Sequence, residues 1–217
     1  MREVDPKETS RAMSYEMYID APMPMVTLFK TLDITPLVRL AGKGHKLNML
    51  LCWCAAAAAG RVKEFYLLPV GKALVEYDSV AVNVIVKDDR GELVSCDIPY
   101  SPALSDFERD YLAITAHAKA TGAGCELPNA MILGTSSLAK HDIDGAVNFY
   151  SGLYNNPFLI WGKYVPKGLK KVLKVSFQFH HVQMDGEEAC QFLEYMQEEI
   201  QTLRNKGSFA AHKEKSE

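Results

Sequence analysis

KVLKVSFQFHHVQMDG, residues Lys171 to Gly186, ends a run of alternating β-forming residues in two histidines and then an aspartate. Side chains of a strand point alternately to its two faces, so Val175, Phe177, Phe179 and His181 share one parity and Ser176, Gln178 and His180 the other. The alternation predicts a strand that carries His181 on its apolar side. An imidazole partly withdrawn from water there is harder to charge, stays neutral and basic near pH 7, and can act as a general base. A lone histidine in such a place is ordinarily a core side chain bonded to a carbonyl. Asp185, four residues further on, is what gives the pair a chemical reading.

Working outward, Asp185-Gly186 breaks the strand, and Ala189, Phe192, Leu193, Met196, Ile200 and Leu203 then recur at helical spacing. A frayed tail is expected from about residue 207. Upstream, Met131 to Phe179 alternates short apolar runs with Gly, Asn and Pro breaks, which predicts several strands and no long helix. Ser105 and Glu108 have the spacing of a capping box, and Phe107, Tyr111 and Ile114 follow, so a helix is predicted from about Asp106 to about Lys119, stopped by Thr121-Gly-Ala-Gly. Val80 to Val86 and Glu92 to Ile98 flank Asp-Asp-Arg-Gly and read as a hairpin. Leu47 to Ala59, with five alanines and Gly60 beyond, reads as a buried helix built for close packing. Helices mixed with runs of neighbouring strands argue for α+β rather than a regular βαβ alternation.

The chain has 217 residues, enough for one core and short for two, and a single domain over 1–217 is expected. A net charge of -3 with scattered basic residues gives no platform for nucleic acid or an anionic membrane. Cys52, Cys54, Cys96, Cys125 and Cys190 contain no CxxC pair and no histidine at zinc-ligand spacing, so no metal is expected and the thiols read as reduced. The opening MREVDPKETSRAMSYEMY lacks the apolar core of a signal peptide, and the longest apolar run, Met49 to Ala59, is too short for a bilayer. A cytoplasmic protein is expected.

His181-Val-Gln-Met-Asp185-Gly186, with a second histidine before it, resembles the His-x-x-x-Asp-Gly pattern of the chloramphenicol acetyltransferase family and its wider relatives, the catalytic domains of dihydrolipoamide acyltransferases. Gly162-Lys163-Tyr164 stands at the family's distance from the double histidine, with Pro157 before it. Arg11, Tyr15, Glu16 and Tyr18 resemble an N-terminal family segment, as do Leu32-Asp-Ile-Thr35, His45-Lys46 and Tyr77-Asp78-Ser79-Val80. The resemblance runs from about Arg11 to about Leu203. It implies an α/β (α+β) two-layer sandwich with a mixed β-sheet, assembled as a homotrimer with active sites at subunit interfaces.

The roles it implies each have a physical reason. His181 would be the base that takes the acceptor's proton. Asp185 would pair with Arg11 and fix the turn beneath His181. Ser136 would donate to the thioester oxyanion, with Ser137 or Thr135 as alternatives. Tyr164 would pack on coenzyme A, and Lys163, with Lys167, Lys170 and Lys171 nearby, would meet its phosphates. Tyr18 would line the acceptor pocket. The reaction implied is direct O-acetyl transfer from acetyl-CoA, a co-substrate and not a permanently bound cofactor, to a small-molecule alcohol.

Two positions depart from the family. Lys140 replaces a tryptophan after Ser136, and Ile160 replaces a pocket threonine that helps hydrate the reacting centre. With Ile160 there, and with Gly60 to Leu127 resembling the family only loosely, chloramphenicol is expected to be a poor acceptor, although antibiotic resistance is a role the resemblance allows. Two other readings stay open: a dihydrolipoamide acyltransferase-type catalytic domain, whose lipoyl domain and linker would find no room in this length, and a trimeric ligand-binding protein without turnover.

Overall fold

The computed structural model describes residues 1–213, with side chains as far as Arg204. In chain order the elements are β1 (Arg2–Val4), α1 (Ala12–Tyr18), β2 (Met25–Asp33), α2 (Thr35–Ala41), α3 (Leu47–Ala59), β3 (Leu67–Val70), β4 (Ala73–Glu76) and β5 (Val80–Lys87). After these come β6 (Leu93–Pro99), α4 (Leu104–Thr121), β7 (Met131–Ser137), β8 (Phe158–Trp161), β9 (Val165–Lys167), β10 (Lys170–His180) and α5 (Gly186–Lys213). Seven strands form the main sheet in the order β2-β10-β8-β7-β5-β6, with β9 paired to β10 off that path; β1, β4 and β3 form a separate three-stranded sheet. The main sheet is mixed: β10 runs antiparallel to β2 and β8, whereas β7 is parallel to β8 and β5.

β10 is central because it is apolar on one face and polar on the other. Val175, Phe177 and Phe179 lie at 0–1 % exposure. The Phe177 ring centroid sits 4.5 Å from that of Phe192 on α5 and 5.9 Å from that of Phe65. The stripe read from the sequence is the buried side of α5: Ala189, Phe192, Leu193, Met196, Ile200 and Leu203 are all buried, with Phe192 against this face. On the opposite face Ser176 Oγ accepts the Ala146 N–H at 2.9 Å, and Gln178 Nε2 donates to the Asn148 carbonyl, also at 2.9 Å. These bonds strap the segment between β7 and β8 across the sheet. The strap leaves Val147, Phe149, Leu153 and Tyr154 at 70–80 % exposure.

Helix α3 has the bounds the alanine run predicts. Ala55, Ala56, Ala58 and Ala59 are at 0 % exposure, and their small side chains let α3 lie close against α5. The hairpin also forms as read: Asp88 Oδ1 accepts the N–H groups of Arg90 and Glu92 at 2.9 and 2.8 Å, and Gly91 takes a φ of 89°, which a larger residue would resist.

The capping box at Ser105 and Glu108 does not form. Helix α4 starts one residue earlier than Ser105, its N-cap is Ala103, and no side chain caps it. Glu108 is drawn instead to His45, whose Nδ1 lies 2.9 Å from the carboxylate, so a tertiary hydrogen bond wins over the local one. The end of α4 follows the sequence, with Gly122 in the left-handed conformation at φ 72° and its N–H bonded to the Ala118 carbonyl. The frayed tail expected from about residue 207 falls where side chains are not described; the α5 backbone is helical to Lys213, and residues 214–217 lie outside the described residues. Among the described residues no helix is long and apolar enough to cross a membrane.

Because α3 has no free space at its alanines, Ala58→Leu is expected to destabilise the protein by about 1–3 kcal/mol through overpacking. A urea titration checks this; an unchanged midpoint would mean that the α3–α5 contact is looser than the burial of Ala58 implies.

Candidate active site

The strand that carries the two histidines ends at His180. There the chain turns, because the Gln183 N–H bonds to the His180 carbonyl at 2.9 Å. His181 is the first residue beyond the strand, and its N–H bond to the Pro24 carbonyl keeps the register of β10 on β2 for one residue more. His181 stands in the turn with its side chain 30 % exposed, and His180 is the residue taken into the interior, at 1 % exposure.

The polar backbone groups of His181 and Val182 all have partners in the chain. The His181 N–H donates to the Pro24 carbonyl at 2.8 Å and the Val182 N–H donates to His180 Nδ1 at 3.1 Å. Arg11 supplies the rest: its Nη2 donates to the His181 carbonyl at 3.0 Å and its Nε to the Val182 carbonyl at 2.9 Å. The same guanidinium grips Asp185 with both ends, Nη1 to Oδ2 at 2.9 Å and Nη2 to Oδ1 at 2.7 Å, and Nη2 also reaches Ser14 Oγ at 3.0 Å. Arg11 is 3 % exposed, and the planar fork of its donors suits this double task as an ammonium would not. Its hydrogen bonds hold the Asp185 carboxyl below its ordinary value, against the upward pull of burial.

The His181 ring lies flat on Tyr18, with centroids 4.2 Å apart and planes at 18°. Nδ1 is 3.1 Å from Asp185 Oδ1. The angle there is not that of a hydrogen bond, and the buried Nδ1 makes none. The exposed part of the ring is thus on the side away from Nδ1. A neutral imidazole held in this way can take a proton from a group that approaches its open edge, and a carboxylate at its back can steady the imidazolium that results.

Arg11, Tyr18, His181 and Asp185 are brought together, whereas the other residues singled out from the sequence are not. Ser136 on β7 is level with Ile160 on β8, which is level with Ser176 on β10. Four residues at about 3.3 Å each and two strand spacings of about 4.8 Å put Ser136 roughly 16 Å from His180 across the sheet. Of the neighbouring hydroxyls, Thr135 is buried and donates to the Asn83 carbonyl at 2.7 Å, Ser137 is exposed, and Ser136 is half-buried with no hydrogen-bond partner among the described residues. Lys163 and Tyr164 lie at the far end, where β9 joins the start of β10; Lys163 is exposed and Tyr164 packs on the core. Of the lysines near them, Lys170 is paired with Asp33 at 3.2 Å.

The sequence reading missed four contributors. Ser14 and Pro24 act through a hydroxyl and a carbonyl, which no spacing rule singles out. His180 carries the acceptor for the turn. Glu188 reaches back to the Asp185 N–H at 3.0 Å at the start of α5. That last contact was legible, since Asp185-Gly-Glu-Glu188 has capping-box spacing at a helix start. Among the described residues no group of three His, Cys, Asp or Glu side chains is placed to hold a metal ion.

Comparison with known proteins extends the picture. A family model described as chloramphenicol acetyltransferase matches residues 1–197. Chloramphenicol acetyltransferase 2 of Escherichia coli is 29 % identical over 178 residues, which cover 79 % of this chain and 83 % of that protein. A solved chloramphenicol acetyltransferase superposes with a TM-score of 0.79 at 15 % identity, over 92 % of this chain and 99 % of that one. The dihydrolipoamide acetyltransferase of Azotobacter vinelandii superposes with a TM-score of 0.68 at 19 % identity, over 94 % of this chain and 93 % of its own, a likeness of fold.

Because Arg11 and Asp185 serve one clamp, Arg11→Ala and Asp185→Asn are expected to be strongly non-additive in stability, with a coupling of about 1–3 kcal/mol in a double-mutant cycle. Additive losses in urea unfolding would show that the two side chains do not meet in solution.

Proposed function

The chain belongs to the chloramphenicol acetyltransferase family of acyltransferases, and on that footing we propose that it moves the acetyl group of acetyl-CoA onto the hydroxyl of a small molecule, with His181 as the general base. One observation carries the reading. The turn beneath His181 has its backbone groups tied by Arg11, Pro24 and His180, while the imidazole keeps an open edge.

Burial of Nδ1 leaves Nε2 as the nitrogen for the reaction. Nε2 takes the hydroxyl proton as the acceptor oxygen attacks the thioester carbonyl. The tetrahedral oxyanion takes a hydrogen bond, and its collapse expels the coenzyme A thiolate, which recovers the proton from His181. Asp185, 3.1 Å from Nδ1, favours the transient imidazolium by its charge, and its grip on Arg11 keeps it ionised. No acyl-enzyme is formed.

Ser136 is the donor for the oxyanion, because Thr135 is already committed to Asn83. A hydroxyl roughly 16 Å from the histidine end of the strand cannot serve it within one chain. The donor therefore comes from a second copy, and the site lies between subunits of a homotrimer. The exposed Val147, Phe149, Leu153 and Tyr154 on the strap are apolar surface of the kind such an assembly covers. Tyr164 and Lys163, with Lys167 and Lys171, receive the coenzyme at the other end of β10, and Tyr18 lines the acceptor side.

Release of free thiol from acetyl-CoA, measured over a panel of alcohols, tests the activity. His181→Ala is expected to lower turnover by about a hundred- to ten-thousand-fold; a folded variant with wild-type turnover would remove His181 as the base. Assembly is tested separately by co-expressing His181→Ala and Ser136→Ala chains. Each parent is inactive or nearly so, and hybrid trimers are expected to regain activity, because some sites then combine an intact histidine with an intact serine. Hybrids as poor as the parents would place both groups in one chain. Within the panel, chloramphenicol is expected to be acetylated poorly. The half-buried side chain of Ile160 offers no hydrogen bond, and a lost bond aimed at the transition state costs about 1–3 kcal/mol, or about ten- to a hundred-fold in rate. A kcat/KM for chloramphenicol above about 10⁶ M⁻¹s⁻¹ would overturn this.

A further inference from the structure

The reaction as proposed uses one of the two adjacent histidines and gives the other no task. We propose that His180 is a positioning residue, whose ring nitrogen Nδ1 holds the Val182 N–H and thereby sets the turn on which His181 stands. The inference rests on the reading of His181 as the base.

His180 is the last residue of β10, opposite Met25 of β2. It shares its strand face with Ser176 and Gln178, the face crossed by the strap, and Tyr150 of the strap presents its ring to it edge-on at a centroid distance of 6.5 Å. Three bonds of the turn end on this one residue, the Met184 N–H also reaching its carbonyl at 3.4 Å. Its carbonyl accepts the Gln183 N–H at 2.9 Å, and Nδ1 accepts the Val182 N–H at 3.1 Å. A nitrogen that accepts carries no proton, so the ring is the neutral tautomer with its hydrogen on Nε2. Burial pushes His180 down to about 4, with the neighbouring His181 adding to the effect, so the ring stays an acceptor at ordinary pH.

The bond has no substitute. Val182 is at 0 % exposure, so its N–H cannot turn to water if the ring is lost. Arg11 holds the carbonyls of His181 and Val182 but can accept nothing. The peptide between His181 and Val182 is thus held from one side by the guanidinium and from the other by the imidazole. Release of one side lets that peptide rotate, and the base turns with it. His180 itself is buried and its accepting nitrogen is filled, so it is not a second base.

The test compares wild type with His180→Asn and His180→Leu. Asparagine places an oxygen acceptor as many bonds from the backbone as Nδ1; leucine fills the space and accepts nothing. For His180→Leu, kcat for thiol release from acetyl-CoA is expected to fall about ten- to a hundred-fold with KM for acetyl-CoA nearly unchanged, the mark of a displaced base. Amide exchange at Val182 is expected to quicken by about ten-fold or more. His180→Asn is expected to remain near wild type in both. If His180→Leu does not fold, His180→Gln, one methylene longer and so with its acceptor displaced, carries the same expectation.

Unchanged Val182 exchange in the variant without an acceptor overturns the proposal, as does altered exchange with unchanged kcat. His180→Asn falling as far as His180→Leu also overturns it. If the wild type releases no thiol with any acceptor, the reading of His181 fails instead, and the exchange comparison alone decides what the His180 ring does.

Discussion

The Arg11 guanidinium and the Asp185 carboxylate are 174 residues apart in the chain, and the turn that carries His181 depends on their meeting. The turn is short, irregular and set between the end of β10 and the start of α5, where neither a sheet ladder nor a helix supplies its bonds. Arg11, from the N-terminal segment, supplies the donors for the turn's His181 and Val182 carbonyls. That segment is anchored in its own right, since β1 pairs with β4 and the Tyr15 hydroxyl bonds to the Lys72 carbonyl. Taking a guanidinium to 3 % exposure is costly, and a buried pair is often worth little net stability. Its return here is geometric: one side chain fixes two carbonyls and one carboxylate, and through them the place of an imidazole.

β10 is the second constraint, because it acts as a ruler. Its apolar face is covered by Phe192 of α5 and by Phe65. Along its length it spaces out the groups that the proposed reaction uses: the histidine turn at one end, the level of Ser136 and Ile160 in the middle, and Tyr164 with the lysines at the other end. A rigid, hydrogen-bonded sheet cannot fold back to bring these together. Under the proposed reaction a single copy holds parts of a site rather than a whole one, since the pleat and strand spacings keep Ser136 and the histidine turn apart. The strap between β7 and β8 answers to the same sheet. Its Ala146 N–H and Asn148 carbonyl meet Ser176 and Gln178, and its Val147, Phe149, Leu153 and Tyr154 are exposed.

Much of this was legible in the order of residues. The alanine run bounded α3, Asp88 to Gly91 marked the hairpin, the stripe from Ala189 to Leu203 was the buried side of α5, and His-x-x-x-Asp-Gly with a distant arginine pointed to the clamp. These are signals of period and local chemistry, which the chain carries wherever it folds. The failures have a common cause as well. Ser105 and Glu108 had the right spacing for a cap, but Glu108 sits beside His45, 63 residues away, and the local pattern lost to a tertiary partner. Parity read both histidines as part of the strand, but alternation says nothing of where a strand stops, and β10 stops at His180. The stop was decided by the His180 carbonyl and ring, by Pro24 and by Arg11. The sequence by itself thus determined the elements, the family pattern and the kinds of groups at hand. Only the tertiary structure decided which histidine is buried and which stays open, and that Ser136 lies beyond reach of His181 in the same chain, because both depend on bonds and distances between residues far apart in the sequence.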